Sequence, residues 1–291
     1  MNEDARKNAA LKAKFDSGEM IVAPGIFDMI SARIADNMGF DAIYMTGYGI
    51  AASYLGLPDA GLASFTDMVD CVRRIAGGTQ TPLIADGDNG YGGPQNVQHA
   101  VRGYERAGAS AIQIEDQAFP KKCGHTPGRR VVPIEEAALK IRVAVESRDD
   151  PNFLIIARTD ARTAHGLDEA LRRGEAFAEA GADILFIESP ESEAEMEKIC
   201  RSFDKPLVAN MVEGGLTPVL PAERLKELGF SLVIYPGTGF LATGAALEGV
   251  FGAIKRDGTS LNSNVPLANF EDFSKTVGFQ EVWDFDAKYG T

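Results

Sequence analysis

The chain has 291 residues, 45% of them hydrophobic, with a formal charge of −13 at neutral pH. This length suits one large domain, and eight-stranded α/β barrels commonly reach it. The acidic balance excludes nucleic acid and anionic membranes as default partners, so an anionic ligand would need local positive charge.

Residues 1–18 read as a charged helix ending at Gly18. Eight short apolar runs follow: Met20–Ala23, Ala42–Met45, Pro82–Ala85, Ala111–Ile114, Phe153–Ala157, Ile184–Ile187, Pro206–Ala209 and Leu232–Tyr235. Apolar residues in succession, without alternation, predict parallel strands buried on both faces. The stretches between them have helical periodicity. In Leu167–Ala180 the residues Leu167, Ala170, Leu171 and Phe177 fall near one face, and in Phe65–Ile75 Cys71 takes a core-packing position. Gly77-Gly78 and Arg256-Asp-Gly258 read as turns.

A repeat runs through the chain. Strands two, four, six and eight are each preceded by a helix end, a glycine, one residue and a polar residue: Met38-Gly-Phe-Asp41, Ala107-Gly-Ala-Ser110, Ala180-Gly-Ala-Asp183 and Leu228-Gly-Phe-Ser231. Strands three, five and seven begin at or just after Pro82, Pro151 and Pro206. The alternation predicts a (β/α)8 barrel built from βαβα units. An open doubly wound sheet is the rival, but eight strands and no Gly-x-Gly-x-x-Gly after the first favour closure. Residues 1–291 then form one barrel domain, with a helical tail from about 262 to 291 packed outside it or on a neighbour.

Catalytic groups of such barrels stand at the carboxyl ends of the strands. Those positions hold Thr46 and Tyr48, Asp86 and Asp88, Glu115 and Asp116, Arg158 and Asp160, Glu188, Asn210 and Glu213, and Pro236-Gly-Thr-Gly239. Some carboxylates there, such as Asp160, are explained as helix caps or ion-pair partners. Asp86, Glu115, Arg158 and Glu188 together are not, because unpaired buried charges are costly. Asp86, Asp88 and Glu115 make a hard-oxygen cluster suited to Mg²⁺ or Mn²⁺. The three histidines, His99, His125 and His165, do not fall at zinc-ligand spacings with the cysteines. An ion near Arg158 would hold a carboxylate–carbonyl or carboxylate–hydroxyl substrate and stabilise an enolate.

The loop Phe119-Pro-Lys-Lys-Cys-Gly-His-Thr-Pro-Gly-Arg-Arg130 follows strand four. Lys121, Lys122 and His125 could supply a field that lowers the Cys123 thiol pKa toward neutrality. Gly124 and Gly128 permit the turns of a closing lid. A metal-held enolate beside a thiol acid implies a carbon–carbon lyase, or an aldol-type condensation in reverse. The three cysteines, Cys71, Cys123 and Cys200, are odd in number and scattered, which suits a reducing cytoplasm. There is no signal-peptide core and no run of 18 apolar residues.

Lys121-Lys-Cys-Gly-His125, with Asp86-Gly-Asp88, Ala157-Arg-Thr-Asp160 and Asn210-Met-Val-Glu-Gly-Gly215, resembles the isocitrate lyase/phosphoenolpyruvate mutase superfamily from about Pro24 to the early 250s. The cysteine-bearing loop is characteristic of its carbon–carbon lyases. Members acting on carbon–phosphorus bonds carry an Asn-containing loop instead. The resemblance implies a modified barrel whose last helix is exchanged between subunits, a tetramer made of two dimers, and Mg²⁺. It implies that Asp86 ligates the ion directly, with Asp88 and Glu115 acting through water, and that Asp59 is a functional acid nearby. Tyr44, Thr46, Gly47 and Tyr48 would contact the pyruvate- or glyoxylate-like half of the substrate, and Arg158 its carboxylate. Glu188 would position or deprotonate the hydroxyl, with Tyr44 as the competitor. Cys123 would protonate the departing carbanion, with His125 and Glu188 near it, Lys121 as a further catalytic residue and Gly124 as a substrate contact. Asn210, Glu213 and Pro236 would lie beside the second product.

Among the short lyases of this superfamily, the loop and Asn210–Gly215 are more similar to the 2,3-dimethylmalate lyase and petal-death types. 2-Methylisocitrate lyases tend to have Lys-Arg-Cys-Gly-His and Asn-Ile-Thr-Glu-Phe-Gly there. Two departures alter the pocket: Thr46-Gly47-Tyr48 replaces Ser-Gly-Gly, and Tyr235-Pro-Gly-Thr-Gly239 replaces Tyr-Pro-Leu-Ser, which suggests room for a bulkier substituent. The implied activity is Mg²⁺-dependent cleavage of a 2-substituted malate or 2-methylisocitrate-type di- or tricarboxylate to pyruvate or another α-keto acid plus a second acid. The alternatives are oxaloacetate hydrolysis, for which a serine is expected at Gly237, and a non-catalytic small-acid binding protein, which would have lost a metal carboxylate or Cys123.

Overall fold

In the computed structural model, which describes residues 3–290, eight parallel strands stand in the order β6-β5-β4-β3-β2-β1-β8-β7. They are β1 (Ile21–Ile26), β2 (Ile43–Met45), β3 (Leu83–Asp86), β4 (Ala111–Glu115), β5 (Leu154–Thr159), β6 (Ile184–Ile187), β7 (Val208–Asn210) and β8 (Leu232–Tyr235). A parallel bridge between Leu185 and Leu207 joins β6 to β7 and nearly closes the barrel. All eight expected strands form. Several run past their apolar segment, so that Asp86, Glu115, Arg158 and Asn210 lie within strands rather than after them.

The repeat has the expected backbone: Gly39, Gly108, Gly181 and Gly229 all take positive φ, from 74° to 114°, which ends each helix and turns the chain into the next strand. Two expectations need correction. Gly77 and Gly78 do not form a turn but complete the helix Phe65–Gly78. Arg256 and Asp257 end the helix Thr238–Asp257, and only Gly258, at φ 69°, leaves it.

Strand side chains alternate between two cores. The outer one packs strands against helices and includes Ile43, Met45, Ala85, Ile112, Ile155 and Leu185, with Cys71 among its helix residues. The inner one fills the barrel with Ile21, Ala23, Tyr44, Ile84, Ile156, Phe186, Val208 and Ile234, and Leu11 of the first helix, Glu3–Asp16, plugs its floor. Continuing the inward parity by two residues carries Ile84 to Asp86, Ile156 to Arg158, Phe186 to Glu188 and Val208 to Asn210. The barrel's own alternation therefore aims these polar groups at its mouth.

The helix Thr238–Asp257 has one buried residue, Ala253, while Leu241, Leu247, Phe251 and Ile254 are exposed. Beyond it, Phe270–Thr276 packs on the helix Met29–Met38. The last helix, Phe279–Tyr289, buries nothing. Among the described residues no helix is long and apolar enough to cross a membrane.

Candidate active site

A cavity of about 240 Å³ opens at the carboxyl ends of the strands. Tyr44, Thr46, Tyr48, Asp59, Asp86, Glu115, Lys121, Cys123, Gly124, His125, Arg158, Glu188, Asn210, Glu213 and Pro236 all line it. Gly47 and Asp88 stand just behind the wall: a Cβ on Gly47 would come within 2.7 Å of Asp86 Oδ2 and 3.5 Å of Asp88 Oδ1.

Arg158 is the most heavily engaged group. Its Nε and Nη2 donate to the two oxygens of Asp160 at 3.0 and 2.9 Å. Nη2 also lies 3.1 Å from Glu188 Oε2 and Nε 3.5 Å from Glu115 Oε2, with the guanidinium over the Phe186 ring. Glu188 accepts further bonds from Ser189 N and Asn210 Nδ2. Ser189 takes a left-handed φ of 60°, uncommon for a residue with a side chain. This turns the chain sharply enough for its own N–H to reach Glu188 Oε1 and its hydroxyl to reach that atom or the Gly124 carbonyl.

Behind this layer, Asp116 accepts from Thr159 Oγ1, Asp160 N and Arg173 Nη1, fixing the end of β5. Burial alone would push Asp160 upward; Arg158 and Arg129 outweigh it and hold the carboxyl below its ordinary range. Asp160 is thus an ion-pair partner, and its side chain caps no helix.

On the opposite side, Lys121 reaches across to Asp59 and Asp88, 2.5 Å from each. Burial would lower its pKa, yet the surrounding carboxylates raise it well above normal. Asp86 accepts from Gly47 N, Asp88 N and Gln113 Nε2, and Tyr44 donates its hydroxyl proton to Gln113 Oε1. Gln113 is a site residue that the sequence reading missed. The signal was there: one amide inside the otherwise apolar run Ala-Ile-Gln-Ile, two residues before Glu115.

Glu115 Oε1 is buried without a hydrogen-bond partner, and burial pushes this carboxyl well above its ordinary value. Burial also drives Asp88 up to about 7, with Lys121 opposing. Four carboxylates with one lysine among them, and an orphaned carboxylate oxygen, fit a hard divalent cation. Among the described residues no three His, Cys, Asp or Glu side chains are disposed to chelate an ion directly.

The loop after β4 is held at both ends. Gln117 pairs with Val131, its side chain clasps the Lys122 backbone in both directions, and Cys123 N donates to Asp59 O. The expected electrostatics of Cys123 are overturned. Burial raises the thiol pKa, and the His125 backbone N–H and Arg158 offset this only in part. Lys121 is committed to Asp59 and Asp88, and Lys122 points back to Pro127 O. His125 is no cation either, since burial lowers its pKa. Its Nδ1 accepts from Leu216 N while Nε2 lies 3.5 Å from Glu188. The thiol is held protonated.

One wall is apolar: Val212, Ile234, Pro236, Gly237, Phe240 and Leu241. Tyr48 stacks on Phe240 with ring centroids 4.9 Å apart. Val212, Phe240 and Leu241 escaped the sequence reading because nothing in an apolar residue's type distinguishes lining from core.

A family model described as phosphoenolpyruvate phosphomutase matches residues 11–255. The chain is 45% identical over 291 residues to 2,3-dimethylmalate lyase of Eubacterium barkeri, covering 100% of this chain and 99% of the relative. It is 40% identical over 270 residues to the petal death protein of Dianthus caryophyllus, covering 92% and 85%. Its structure resembles oxaloacetate acetylhydrolase bound to 3,3-difluorooxalacetate with a TM-score of 0.93 and 33% identity, covering 98% of each chain.

Proposed function

Because this chain belongs to the isocitrate lyase/phosphoenolpyruvate mutase superfamily and is a carbon–carbon lyase, we propose that it splits a 2-substituted malate, or a related 2-methylisocitrate-type acid, into an α-keto acid and a second carboxylic acid. The observation that carries this is the buried, proton-retaining Cys123 in one cavity with Arg158 and the Asp86–Glu115 pair.

In this reading Arg158 pairs with the carboxylate beside the reacting carbon. The proton of the 2-hydroxyl passes to Glu188. Tyr44 is the weaker candidate for that base, because its proton is engaged with Gln113 and burial raises its pKa well above normal. The C2–C3 bond then breaks. C2 becomes the keto carbon, and the electron pair remains on C3 as an enolate-type carbanion. Cys123 Sγ–H donates its proton to C3, which completes the second acid. Asp86, Asp88 and Glu115 would hold Mg²⁺ (or Mn²⁺), which would supply charge neutralisation for the developing enolate. Asn210 and Glu213 border the second product, and Lys121 pairs with Asp59 and Asp88.

The apolar wall supports an alkyl-bearing substrate. Gly237 leaves space between Val212, Phe240 and Leu241, where a larger side chain would remove it. The exposed faces of Thr238–Asp257 and Phe279–Tyr289 support burial against neighbouring copies, consistent with helix exchange in a tetramer. The three cysteines, all free, favour the cytoplasm.

The test is an α-keto acid release assay in Mg²⁺ across 2,3-dimethylmalate, 2-methylisocitrate, 2-alkylmalates and oxaloacetate. Pyruvate from one of the substituted acids is expected. The likeness to oxaloacetate acetylhydrolase favours a second reading, water-assisted cleavage of oxaloacetate; oxalate as the sole product would establish it and displace the first.

A further inference from the structure

Arg158 faces three carboxylates, those of Asp160, Glu188 and Glu115. Its single charge is over-compensated before any substrate arrives, which is a poor arrangement for binding another carboxylate. A second cation corrects the balance. Arg129, from the loop after β4, donates Nη1 to Asp160 Oδ1 at 3.0 Å, the same oxygen that accepts Arg158 Nη2 at 2.9 Å. Its Nη2 donates to Thr163 Oγ1 at 2.6 Å, while Nε is buried without a partner. The Arg129 side chain is 2% exposed and Asp160 fully buried. Keeping a guanidinium out of water with a donor unused is costly, and a loop anchor alone does not need one.

We infer that Arg129 is a positioning residue for carboxylate recognition: by taking a share of Asp160, it leaves the Arg158 guanidinium electrostatically available to the substrate. The position of Asp160 does not depend on Arg129, because Asp116 holds its backbone N–H and Arg173 holds Asp116. Removing Arg129 therefore changes the charge at Asp160 more than its place. Arg158 is then drawn onto Asp160, and an incoming carboxylate meets one more uncompensated negative charge. The inference rests on the reading of Arg158 as the carboxylate-binding group.

The experiment is calorimetric titration of oxalate in saturating Mg²⁺, with steady-state kinetics alongside. Arg129→Gln keeps a polar amide donor but removes the charge. It should weaken oxalate about tenfold, the scale of one charge-assisted contact in a screened pocket. KM should rise correspondingly, with kcat changed less than about threefold. Arg129→Lys should recover most of the affinity, and Thr163→Val, which leaves the charge in place, should match the parent. Unchanged oxalate affinity in folded Arg129→Gln, or a fall in kcat with affinity intact, overturns the inference. Arg158→Met separates the two ideas. If it binds oxalate as well as the parent, the reading of Arg158 fails. If it alone loses binding, only the role of Arg129 does.

Discussion

Replacing Gly124 by alanine asks whether this loop closes on the reacting groups as tightly as the structure has it. A Cβ at position 124 would lie 2.2 Å from Arg158 Nη2 and 2.9 Å from Glu188 Oε2. Ordinary contact begins near 3.4 Å, so either the guanidinium or the loop must withdraw by about 1.2 Å. Arg158 is fastened to Asp160 by two hydrogen bonds, so the loop is the part to yield, and Cys123 moves with it. Gly124 does not require a positive φ, and the effect is therefore steric rather than conformational. Overpacking of this kind costs about 1–3 kcal/mol of stability. Misplacement of a reacting group by about 1 Å costs on the order of 10²-fold in rate. Gly128→Ala is the control. It forces alanine into φ 80° but meets only the flexible end of Lys122, so it should lose about 1 kcal/mol of stability and little activity. The assay is kcat/KM for α-keto acid release, with thermal melting of both variants. A Gly124→Ala enzyme within threefold of the parent would refute the close approach and the positioning built on it.

Cys123→Ser should lower turnover about 10²–10⁴-fold with the fold intact. Burial raises the thiol pKa, so the protonated donor persists above the ordinary thiol value of about 8.5 and turnover declines only beyond it; a decline beginning near pH 7 would contradict this. Chelation should abolish activity and added Mg²⁺ restore it, and Asp86→Ala should be inactive at any Mg²⁺ concentration tested; chelator-resistant turnover would remove the metal from the mechanism. Gly237→Leu is compatible with the local φ of −93° and would place its Cβ 3.6–3.8 Å from Leu241, Phe240 and Val212. Its remaining carbons fill the apolar side of the cavity. Preference should shift toward smaller C2 or C3 substituents by about 10–200-fold per methylene-sized change, as read from kcat/KM ratios, and an unaltered ranking would show that this wall does not contact the substituent.

The barrel was legible because its strands announce themselves twice, as apolar runs and through the repeated helix-ending glycine. The ring of polar groups at the mouth was legible for a related reason. Inward parity is fixed by the pleat, so the polar residue that breaks an inward-facing series, Asp86 after Ile84 or Arg158 after Ile156, has to stand in the mouth. Gln113 obeys the same rule one layer deeper and was overlooked only because it interrupts a strand instead of ending it. Contacts set by chain segments distant in sequence carry no such signature. The sharing of Asp160 by Arg158 and Arg129 joins β5 to a loop some thirty residues away, and no local pattern in either segment announces it.

The thiol shows why proximity in sequence misleads about charge. Lys121, Lys122 and His125 surround Cys123 in the chain, and a field strong enough to ionise it was the natural expectation. In the folded protein each cation is spent or absent: Lys121 between two carboxylates, Lys122 against a carbonyl, His125 neutral beneath the Leu216 amide. What prevails at the sulfur is burial, which outweighs the His125 backbone N–H and Arg158 and favours the uncharged form. A nucleophile would need the opposite. A group that must give a proton to a carbanion is best kept as a thiol until the carbon–carbon bond breaks, and Asp88, one of the two carboxylates that engage Lys121, is also one of those that would hold the metal. Charge pairing at one side of the cavity thus sets the protonation state at the other. Asp59→Asn, which releases Lys121 from one partner, should accordingly lower the Cys123 pKa, measurable as faster thiol alkylation at fixed pH; an unchanged alkylation rate would break that link.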